Sequence, residues 1–298
     1  MILLLEVKIN KNMSLETLME RSRIKIMHYN ILHGFHKPEV LPFDPPYELN
    51  KDRLKATQEV TRVENPDVLV LTEACFGVGD EKDKGIKMDY GKLFSFPYYI
   101  FARRGDYEWG SAILSKYPIL NLNNNKRGMR HYAEAILDFN GSPLTLGVSH
   151  PHPDLSEDEK LQYFKEVVPA KLPKRYILAG DFNSISDQDK YDRDEMIKGF
   201  RSFAENPELV VDEMLNRKVL PYLRSIGLVD SYKSTHPDGL DYTIPTDYLS
   251  KDKRSGMRMD FIMCSPDFLV EDAYVVKNQN AEKASDHYPV VAVLEDQS

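Results

Sequence analysis

The sequence is poor in cysteine, in long apolar runs and in positive charge, and each shortage excludes a class of protein. Two cysteines, Cys75 and Cys264, stand among 298 residues, too few for a disulfide-stabilised scaffold. Both follow apolar runs, so we expect two buried free thiols. No stretch approaches the roughly 20 apolar residues of a membrane helix. The net charge of −8 argues against strong, non-specific binding of nucleic acid.

The chain also lacks a recognisable targeting segment, internal repeats and Gly/Ser-rich linkers. Its N-terminal MILLLEV is interrupted by Glu6 and is too short for the apolar region of a signal peptide, which favours a cytoplasmic protein. Because nothing marks a domain boundary, we expect residues 1–22 to form an N-terminal arm and residues 23–296 a single domain. The stretch 188–226 is expected to be a helical insertion in that domain.

Apolar patterns predict an α/β protein. The runs 67–71 and 176–179 are continuously apolar after their first residue, as in strands buried on both faces. The Asn140-Gly141 step between two further strands predicts a hairpin, so the sheets are expected to be mixed. The polar segment 121–130 is expected to be a loop.

Helix signals lie between the strands. Asn50 is expected to cap a helix that runs to about Glu64, and Ser156-x-x-Glu159 is typical of a capping box. The segment 207–226 predicts one helix, kinked near Pro221, with Gly227 as its C-terminal stop.

Polar side chains mark the ends of several predicted strands. The runs that carry them are Tyr29-Asn30, Thr72-Glu73, Ser149-His150, Gly180-Asp181-Phe182-Asn183, Arg258-Met259-Asp260 and Ser285-Asp286-His287. Catalytic groups of α/β enzymes gather from strand ends that are far apart in sequence. Carboxylate and amide oxygens suit a hard divalent cation, and imidazole and amide groups can contact phosphate oxygens. The set therefore predicts a metal-dependent phosphoryl hydrolase.

Each motif alone also permits a structural interpretation. A carboxylate such as Glu73 at the exit of a buried strand is either solvated or bound to a cation. Asp181 and Asn183 would point the same way if their strand continued, but Gly-Asp-Phe-Asn is also a typical turn. A lone His150 is more often a core imidazole than a catalytic one.

The histidines differ in the partners that the sequence offers them. Asp260 is a candidate to hold the His287 ring and to favour its charged form. His28, His33 and His36 have no carboxylate or cysteine partner at the spacing typical of zinc sites. We therefore expect no zinc centre there.

Taken in order, these runs resemble the endonuclease/exonuclease/phosphatase superfamily, which includes DNase I-like nucleases, sphingomyelinases and inositol-phosphate phosphatases. The resemblance extends from about Ile24 to Leu294 and includes Pro66–Glu73 and Ser111–Pro118. It implies a four-layer α/β sandwich in which two mixed sheets pack face to face with helices outside. It also implies Mg²⁺ or Mn²⁺ as cofactor and a phosphate ester as substrate.

The resemblance implies a role for eight residues. Glu73 is the main metal ligand with Asn30 beside it, and Asp286 binds this metal or a second one. Asp181 orients or deprotonates the attacking water. Asn183 and His150 contact the scissile phosphate. His287, held by Asp260, contacts the phosphate and stabilises its charge.

Two departures from members that act on abasic DNA make such a repair role less expected. Those members carry an acidic residue two positions after the first Asn, where this chain has Leu32, and Tyr in place of His150. A phosphodiesterase or phosphomonoesterase for a small or lipid-like phosphate ester is the main hypothesis, without an obligate protein partner. A DNase I-like nuclease, for which Lys126, Arg127 and Arg130 form the best basic cluster, is the alternative. A catalytically silent binding module on the same fold is the third.

Overall fold

The computed structural model describes residues 22–37, 48–75, 77–78, 86–103, 109–125 and 130–298. The expected N-terminal arm lies outside these residues except for Ser22, and so do Lys126 and Arg127 of the basic cluster. Among the described residues, no helix combines the length and the apolar character that crossing a membrane requires.

Two six-stranded sheets form the centre of the described structure. The first has the order β15-β16-β1-β4-β8-β7 and the second β13-β14-β12-β11-β10-β9. The strands of the first sheet are β1 (Arg23–Asn30), β4 (Val68–Cys75), β7 (Tyr98–Arg103), β8 (Trp109–Ser115), β15 (Phe268–Val275) and β16 (Val290–Asp296). The strands of the second are β9 (Ile119–Asn125), β10 (Arg130–Phe139), β11 (Ser142–Pro151), β12 (Tyr176–Asp181), β13 (Val229–Asp230) and β14 (Asp260–Cys264).

Both sheets are mixed. In the first, β1 pairs with β4 in parallel and with β16 antiparallel. In the second, β11 pairs with β12 in parallel and with β10 antiparallel. Two short ladders, β2 (His36–Lys37) with β3 (Glu48–Leu49) and β5 (Gly77–Val78) with β6 (Ile86–Lys87), complete the described strands.

Helices cover the outer faces and connect the strands. They are α1 (Lys51–Glu64), α2 (Tyr90–Phe94), α3 (Glu157–Val167), α4 (Arg193–Phe200), α5 (Pro207–Met214), α6 (Val219–Ser225), α7 (Ser231–Thr235) and α8 (Ala281–Ala284), with a 3-10 turn at His33–Phe35.

Alternation along the second sheet shows how the layers pack. Ile177 and Ala179 of β12 belong to the core between the two sheets, which also contains Leu69 of β4. Tyr176 and Leu178 point to the other face, where they meet helices α3 and α6. Successive side chains of a strand alternate between faces, so one strand serves both layers. The chain therefore forms the expected α/β sandwich of two mixed sheets with helices.

Several local predictions are confirmed. Asn140 and Gly141 have φ of 55° and 83° and join β10 to β11 in register, as a two-residue hairpin requires. The side chain of Asn50 caps α1, and Ser156 and Glu159 form a capping box at α3. Cys75 and Cys264 are buried free thiols.

The prediction of a single kinked helix over residues 207–226 is wrong. The segment forms two helices, α5 and α6, and the break falls at residues 215–218 rather than at Pro221. Pro221 lies in the first turn of α6, where the missing N–H has no partner to lose. The buried Glu157 carboxylate accepts hydrogen bonds from the amides of Lys218 and Val219 (2.8 and 3.0 Å) and so starts the second helix.

The prediction of a loop over residues 121–130 is also wrong for the first half of this segment. Residues up to Asn125 continue strand β9, which pairs with β10 at the edge of the second sheet. An edge strand keeps one side of its backbone free, so polar residues such as Asn121 and Asn123 are tolerated there. Polarity alone therefore misled the prediction.

Candidate active site

Parallel strand pairs place the predicted polar residues at one edge of the sandwich. In the first sheet, Asn30 stands opposite Thr72, which directly precedes Glu73. In the second, Ser149 stands opposite Gly180, so that His150 and Asp181 follow at neighbouring strand ends. Parallel strands end on the same side of a sheet, and the two sheets face each other here. Strand topology therefore accounts for the meeting of these residues.

Local backbone features aim the carboxylates. A bulge in the pairing of β4 with β8 lies between Leu71 and Ala74, and Glu73 within it has φ of 54°. Bulges redirect side chains next to functional sites, and positive φ at a non-glycine residue has a conformational cost. Gly180 has φ of 155°, and a Cβ there would overlap the carbonyl oxygen of Ser149. Only glycine fits at this position before Asp181.

Asn30 bridges the two sheets. Its Nδ2 donates to Glu73 Oε1 and to Asp181 Oδ2, each at 3.1 Å. Its carbonyl oxygen accepts from Ser285 Oγ at 2.7 Å, which attaches the segment that carries Asp286 and His287. The side-chain amide and the backbone carbonyl of Asn30 thus join three of the predicted motifs, and the side chain is buried.

The imidazoles lie against the same carboxylates. His150 Nε2 is 3.6 Å from Asp181 Oδ2 and 3.8 Å from Glu73 Oε1. His287 Nδ1 lies 2.8 Å from Asp260 Oδ2, and its Nε2 lies 3.8 Å from Asp181 Oδ2. The predicted pairing of Asp260 with the His287 ring is therefore present in the structure.

Asn183 sits differently from the expectation. Strand β12 ends at Asp181, and Asn183 has φ of 47°, so the argument from strand alternation does not apply. Its backbone N–H donates to Asp181 Oδ1 at 2.9 Å, and its Nδ2 donates to the carbonyl oxygen of Pro151 at 3.0 Å. Asn183 thus joins the Asp181 turn to the segment that follows His150.

Burial and neighbouring charge shift the carboxyl pKa values in opposite directions. Burial raises the pKa of Asp181 to about 7, although His287 opposes the shift. Burial also raises the pKa of Asp286, with Glu73 adding to the shift. For Glu73, burial is outweighed by His33, His150 and hydrogen bonds, and the pKa is lowered. Although burial acts in the opposite direction, the pKa of Asp260 is likewise lowered, chiefly by His287.

The basic groups divide in the same way. Burial opposes protonation of His287, but Asp260, Asp286 and Asp181 together hold its pKa well above the usual range. Burial lowers the pKa of His28 to about 4. Burial also lowers the pKa of Lys160, which interacts electrostatically with Asp181. The charged partner of the carboxylates is therefore His287.

The site contains two groups of potential ligand atoms. Asp181, Asp260 and His287 present ligand atoms that all lie within 4.8 Å of one another. The Glu73 and Asp286 carboxylates interact electrostatically with each other. Oxygen donors of this kind suit Mg²⁺ or Mn²⁺.

Two histidines of the site were missed by sequence reasoning. His33 donates its backbone N–H to Glu73 Oε2 at 3.0 Å, and its ring Nδ1 lies 3.3 Å from the same oxygen. His28 Nδ1 lies 3.3 Å from Asp260 Oδ1. Their carboxylate partners come from distant segments, so spacing along the chain could not reveal them. His28 did carry a signal, since it stands two residues before Asn30 and so shares its strand face.

Comparison with known proteins agrees with this architecture. A model of the "Endonuclease/Exonuclease/phosphatase family" matches residues 27–287. No curated protein matches the sequence.

Three solved structures illustrate the proteins that share this fold. An endonuclease/exonuclease/phosphatase from Beutenbergia cavernae is 17% identical with a TM-score of 0.57, covering 92% of this chain and 72% of its own. A humanized D. rerio TDP2 is 18% identical with a TM-score of 0.55, covering 92% and 99%. An AP endonuclease from Archaeoglobus fulgidus is 18% identical with a TM-score of 0.57, covering 90% and 98%. At these identities the likeness is one of fold.

Proposed function

We propose that this chain, which belongs to the endonuclease/exonuclease/phosphatase family, is a divalent-metal-dependent hydrolase of phosphate esters, above all of a phosphodiester. The observation that carries the proposal is the single cluster in which Asn30 connects Glu73 to Asp181, with His150 and His287 against the same carboxylates. Residues from five distant segments meet there, and Asp260 from a sixth joins them through His287. A structural role alone would not require an accumulation of buried carboxylates, which is costly without a cation.

Asn30, Glu73 and Asp286 would hold Mg²⁺ or Mn²⁺. The fit rests on their chemistry, because all three carry oxygen atoms and the pKa of Asp286 is raised by burial and by the Glu73 charge. The Asn30 Oδ1 accepts from the Leu32 N–H at 3.1 Å and would exchange this bond for the cation. A bound divalent cation supplies Lewis-acid stabilisation of the charge that develops on the phosphoryl oxygens. Asn30 orients the Glu73 carboxylate through its Nδ2, and His33 fixes the second Glu73 oxygen.

Asp181 is the group proposed to act on the attacking water. Its Oδ2 already accepts a hydrogen bond from Asn30 and faces both His150 and His287, so a water there has a defined orientation. A carboxyl pKa of about 7 is suited to accepting a proton near neutral pH. In-line attack then requires that this water approach the phosphorus opposite the leaving oxygen.

His287 and His150 are proposed to bind the phosphoryl oxygens. The Asp260 carboxylate holds His287 by Nδ1, so that Nε2 with its proton faces the substrate side of Asp181. Its raised pKa keeps the ring cationic, as charge stabilisation requires. Asn183 is proposed to contact the scissile phosphate by turning its amide from the Pro151 carbonyl.

The proposal is tested by a substrate panel with and without Mn²⁺. Bis-p-nitrophenyl phosphate, p-nitrophenyl phosphate, DNA, RNA and sphingomyelin separate diesterase, monoesterase, nuclease and lipid activities. We expect metal-dependent turnover that falls about 10²- to 10⁴-fold in His287→Ala. The matched control is His152→Ala, because His152 pairs with the exposed Asp154 instead. Absence of turnover on every ester would favour the silent binding module, and plasmid nicking with a steep salt dependence would favour a nuclease.

We also propose that residues 23–296 act as one catalytic domain with 188–226 as a helical insertion. The support is the buried Glu157, which accepts from Ser184 Oγ at 2.7 Å and from the first amides of α6, joining the insertion to α3. Limited proteolysis should leave 23–296 as one protected fragment. Independent release of 188–226 would contradict this.

Neither Cys75 nor Cys264 forms a disulfide, which supports a proposed cytoplasmic location, since thiols persist in reducing compartments. Cell fractionation with a tagged chain is the direct measurement.

A further inference from the structure

His28 is a buried histidine that the proposed chemistry does not use. It lies on β1, two residues before Asn30, with no exposed surface. Its Nε2 is 3.0 Å from Thr72 Oγ1, and its Nδ1 is 3.3 Å from Asp260 Oδ1. Because β1 belongs to the first sheet and β14 to the second, the second of these contacts crosses the interior of the sandwich.

We propose that His28 is a positioning residue for the hydrolysis proposed above: its Nδ1–H binds Asp260 Oδ1 and so fixes the carboxylate that holds the His287 ring. The inference rests on the proposed function for its catalytic consequence. Its structural part, the hydrogen bond and the tautomer, stands on geometry alone.

The two facing atoms have complementary needs. Neither His28 Nδ1 nor Asp260 Oδ1 makes a hydrogen bond of ordinary geometry to any residue that the structure describes, and both are fully buried, while the Thr243 hydroxyl also interacts with the Asp260 carboxylate. A buried polar atom without a partner is costly, and about 1–3 kcal/mol is typical for one that is left unsatisfied. At 3.3 Å, a small shift of either ring or carboxylate satisfies both.

The Asp260 carboxylate oxygen facing His28 Nδ1 can only accept, which favours a ring proton on Nδ1, and the Thr72 hydroxyl is compatible with that tautomer. A threonine hydroxyl can donate to an imidazole nitrogen, and a donation to Nε2 places the ring proton on Nδ1. Nδ1 then donates to Asp260 Oδ1, while Oδ2 accepts from His287 Nδ1 at 2.8 Å. The Asp260 carboxylate is thereby held on both oxygens, and Nε2 of His287 remains directed towards Asp181.

Simple core packing is the competing interpretation, and it makes different demands. A packing residue is replaced best by an apolar side chain of similar size. A positioning residue is replaced best by one that keeps the donor at the same place. Asparagine carries its amide near the position of the imidazole Nδ1, whereas leucine fills the space without a donor. His28→Asn and His28→Leu are therefore a matched pair.

Imidazole ¹⁵N chemical shifts of the full chain test the structural part without any substrate. With ¹⁵N-labelled histidine in the presence of Mg²⁺, we expect His28 Nδ1 to be protonated and Nε2 to be unprotonated. The His28 signals are assigned by their loss in His28→Asn. In His28→Leu, the His287 Nδ1 signal should shift, because its carboxylate partner loses one anchor. A proton on His28 Nε2 would overturn the proposal, even if the protein proved inactive on every ester.

Kinetics test the catalytic part on the substrate that the panel identifies. We expect His28→Leu to lower kcat about 10- to 100-fold, as for other supporting partners of site residues, with KM changed less than about twofold. His28→Asn should recover most of kcat. In an Asp260→Asn background, His28→Leu should cause little further loss, because both changes act through one carboxylate.

Two kinetic results would refute positioning. The first is an equal loss in His28→Leu with and without Asp260→Asn, since His28 would then act independently of Asp260. The second is a better kcat for His28→Leu than for His28→Asn at equal folded fraction, which core packing alone explains. Urea unfolding of each variant supplies the folded fraction.

Discussion

Two buried clusters of charge lie next to each other in this molecule and differ in balance. The first, the site cluster, contains the carboxylates of Glu73, Asp181, Asp260 and Asp286. The second, the arginine cluster, starts two residues before Asp260. Arg258 donates to both Asp230 oxygens at 3.0 and 2.8 Å and to Asp189 Oδ2 at 3.0 Å, and Lys233 lies 2.9 Å from Asp189 Oδ1.

The arginine cluster is neutral, with two cations against two carboxylates. Burial opposes the charge of Arg258, but Asp230 and Asp189 keep its pKa raised. The Arg258 guanidinium also stacks 4.5 Å from the centre of the Phe261 ring. Every charge there has a geometric partner, as a structural ion pair in the interior requires.

The site cluster is left with surplus negative charge. Against its four carboxylates stand His287, whose pKa is raised, and Lys160, whose pKa burial lowers. Arg53 acts on Asp286, and His33 and His150 act on Glu73. The pKa values of Asp181 and Asp286 are raised as a result of burial. The comparison teaches that uncompensated charge, rather than burial of charge, distinguishes a site awaiting a ligand from a structural network.

The largest expected effect separates the two clusters by activity. Asp181→Asn should lower kcat about 10²- to 10⁴-fold, because the group proposed to accept the proton is lost. Measured in the absence of metal, the free energy of unfolding of this variant should stay the same or rise, since a buried carboxylate is removed. Steady-state kinetics and urea unfolding measure both. Loss of stability without loss of activity would reverse the assignment of the clusters.

The next largest expected effect is a loss of stability when the arginine cluster is changed. Arg258→Met should lower the free energy of unfolding by about 3–5 kcal/mol, because Asp189 and Asp230 remain buried and unpaired. Arg254→Met is the matched control. Its partner Asp252 is a surface residue, and no measurable change is expected. Equal stability of the two variants would show that the arginine cluster is not structural.

Metal binding should stabilise the site cluster alone. At a Mg²⁺ concentration of 100 times Kd, the free energy of unfolding should rise by about 2.7 kcal/mol. Glu73→Gln should weaken metal affinity at least about tenfold and remove at least about 1.4 kcal/mol of that gain. Asp187→Asn, which changes a surface carboxylate paired with Arg224, should keep the full gain. A gain unchanged in Glu73→Gln would exclude Glu73 as a ligand.

The last prediction is a pH dependence in the metal-free protein. The folded pKa of Asp181, about 7, exceeds the ordinary value of 3.8. The folded state therefore binds a proton more tightly than the unfolded chain, and this contribution is complete below pH 4 and lost as the pH rises towards 7. The slope for one proton is at most about 1.4 kcal/mol per pH unit.

The difference in unfolding free energy between the protein and Asp181→Asn, measured from pH 4 to 8, isolates this slope from other groups. A difference that does not vary with pH would show that burial does not raise the pKa of Asp181.

Sequence reasoning located the site because the motifs obey a simple rule of strand ends. The runs around Asn30, Glu73 and Asp181 could be recognised one by one, and parallel neighbours bring such ends together. The turn at Asn140-Gly141 and the cap at Asn50 are local, so the chain alone specifies them. The two-sheet fold was implied by the resemblance of these runs, taken in order, to the endonuclease/exonuclease/phosphatase superfamily.

Contacts between distant segments were not predictable in that way. His33 reaches Glu73 through a turn whose shape no local pattern reveals, and the break between α5 and α6 depends on Glu157 of another helix. The edge position of β9 allowed a polar segment to pair as a strand.

The sequence by itself determined which chemical groups stand at the strand ends, because side-chain identity and strand periodicity are local properties. The tertiary structure alone decided which charged neighbours each of these groups has. Arg258 and Asp260 are two residues apart, yet Arg258 joins a neutral network and Asp260 holds the His287 ring. Successive strands and turns place them among different neighbours, and electrostatic energy depends on distance in space rather than along the chain.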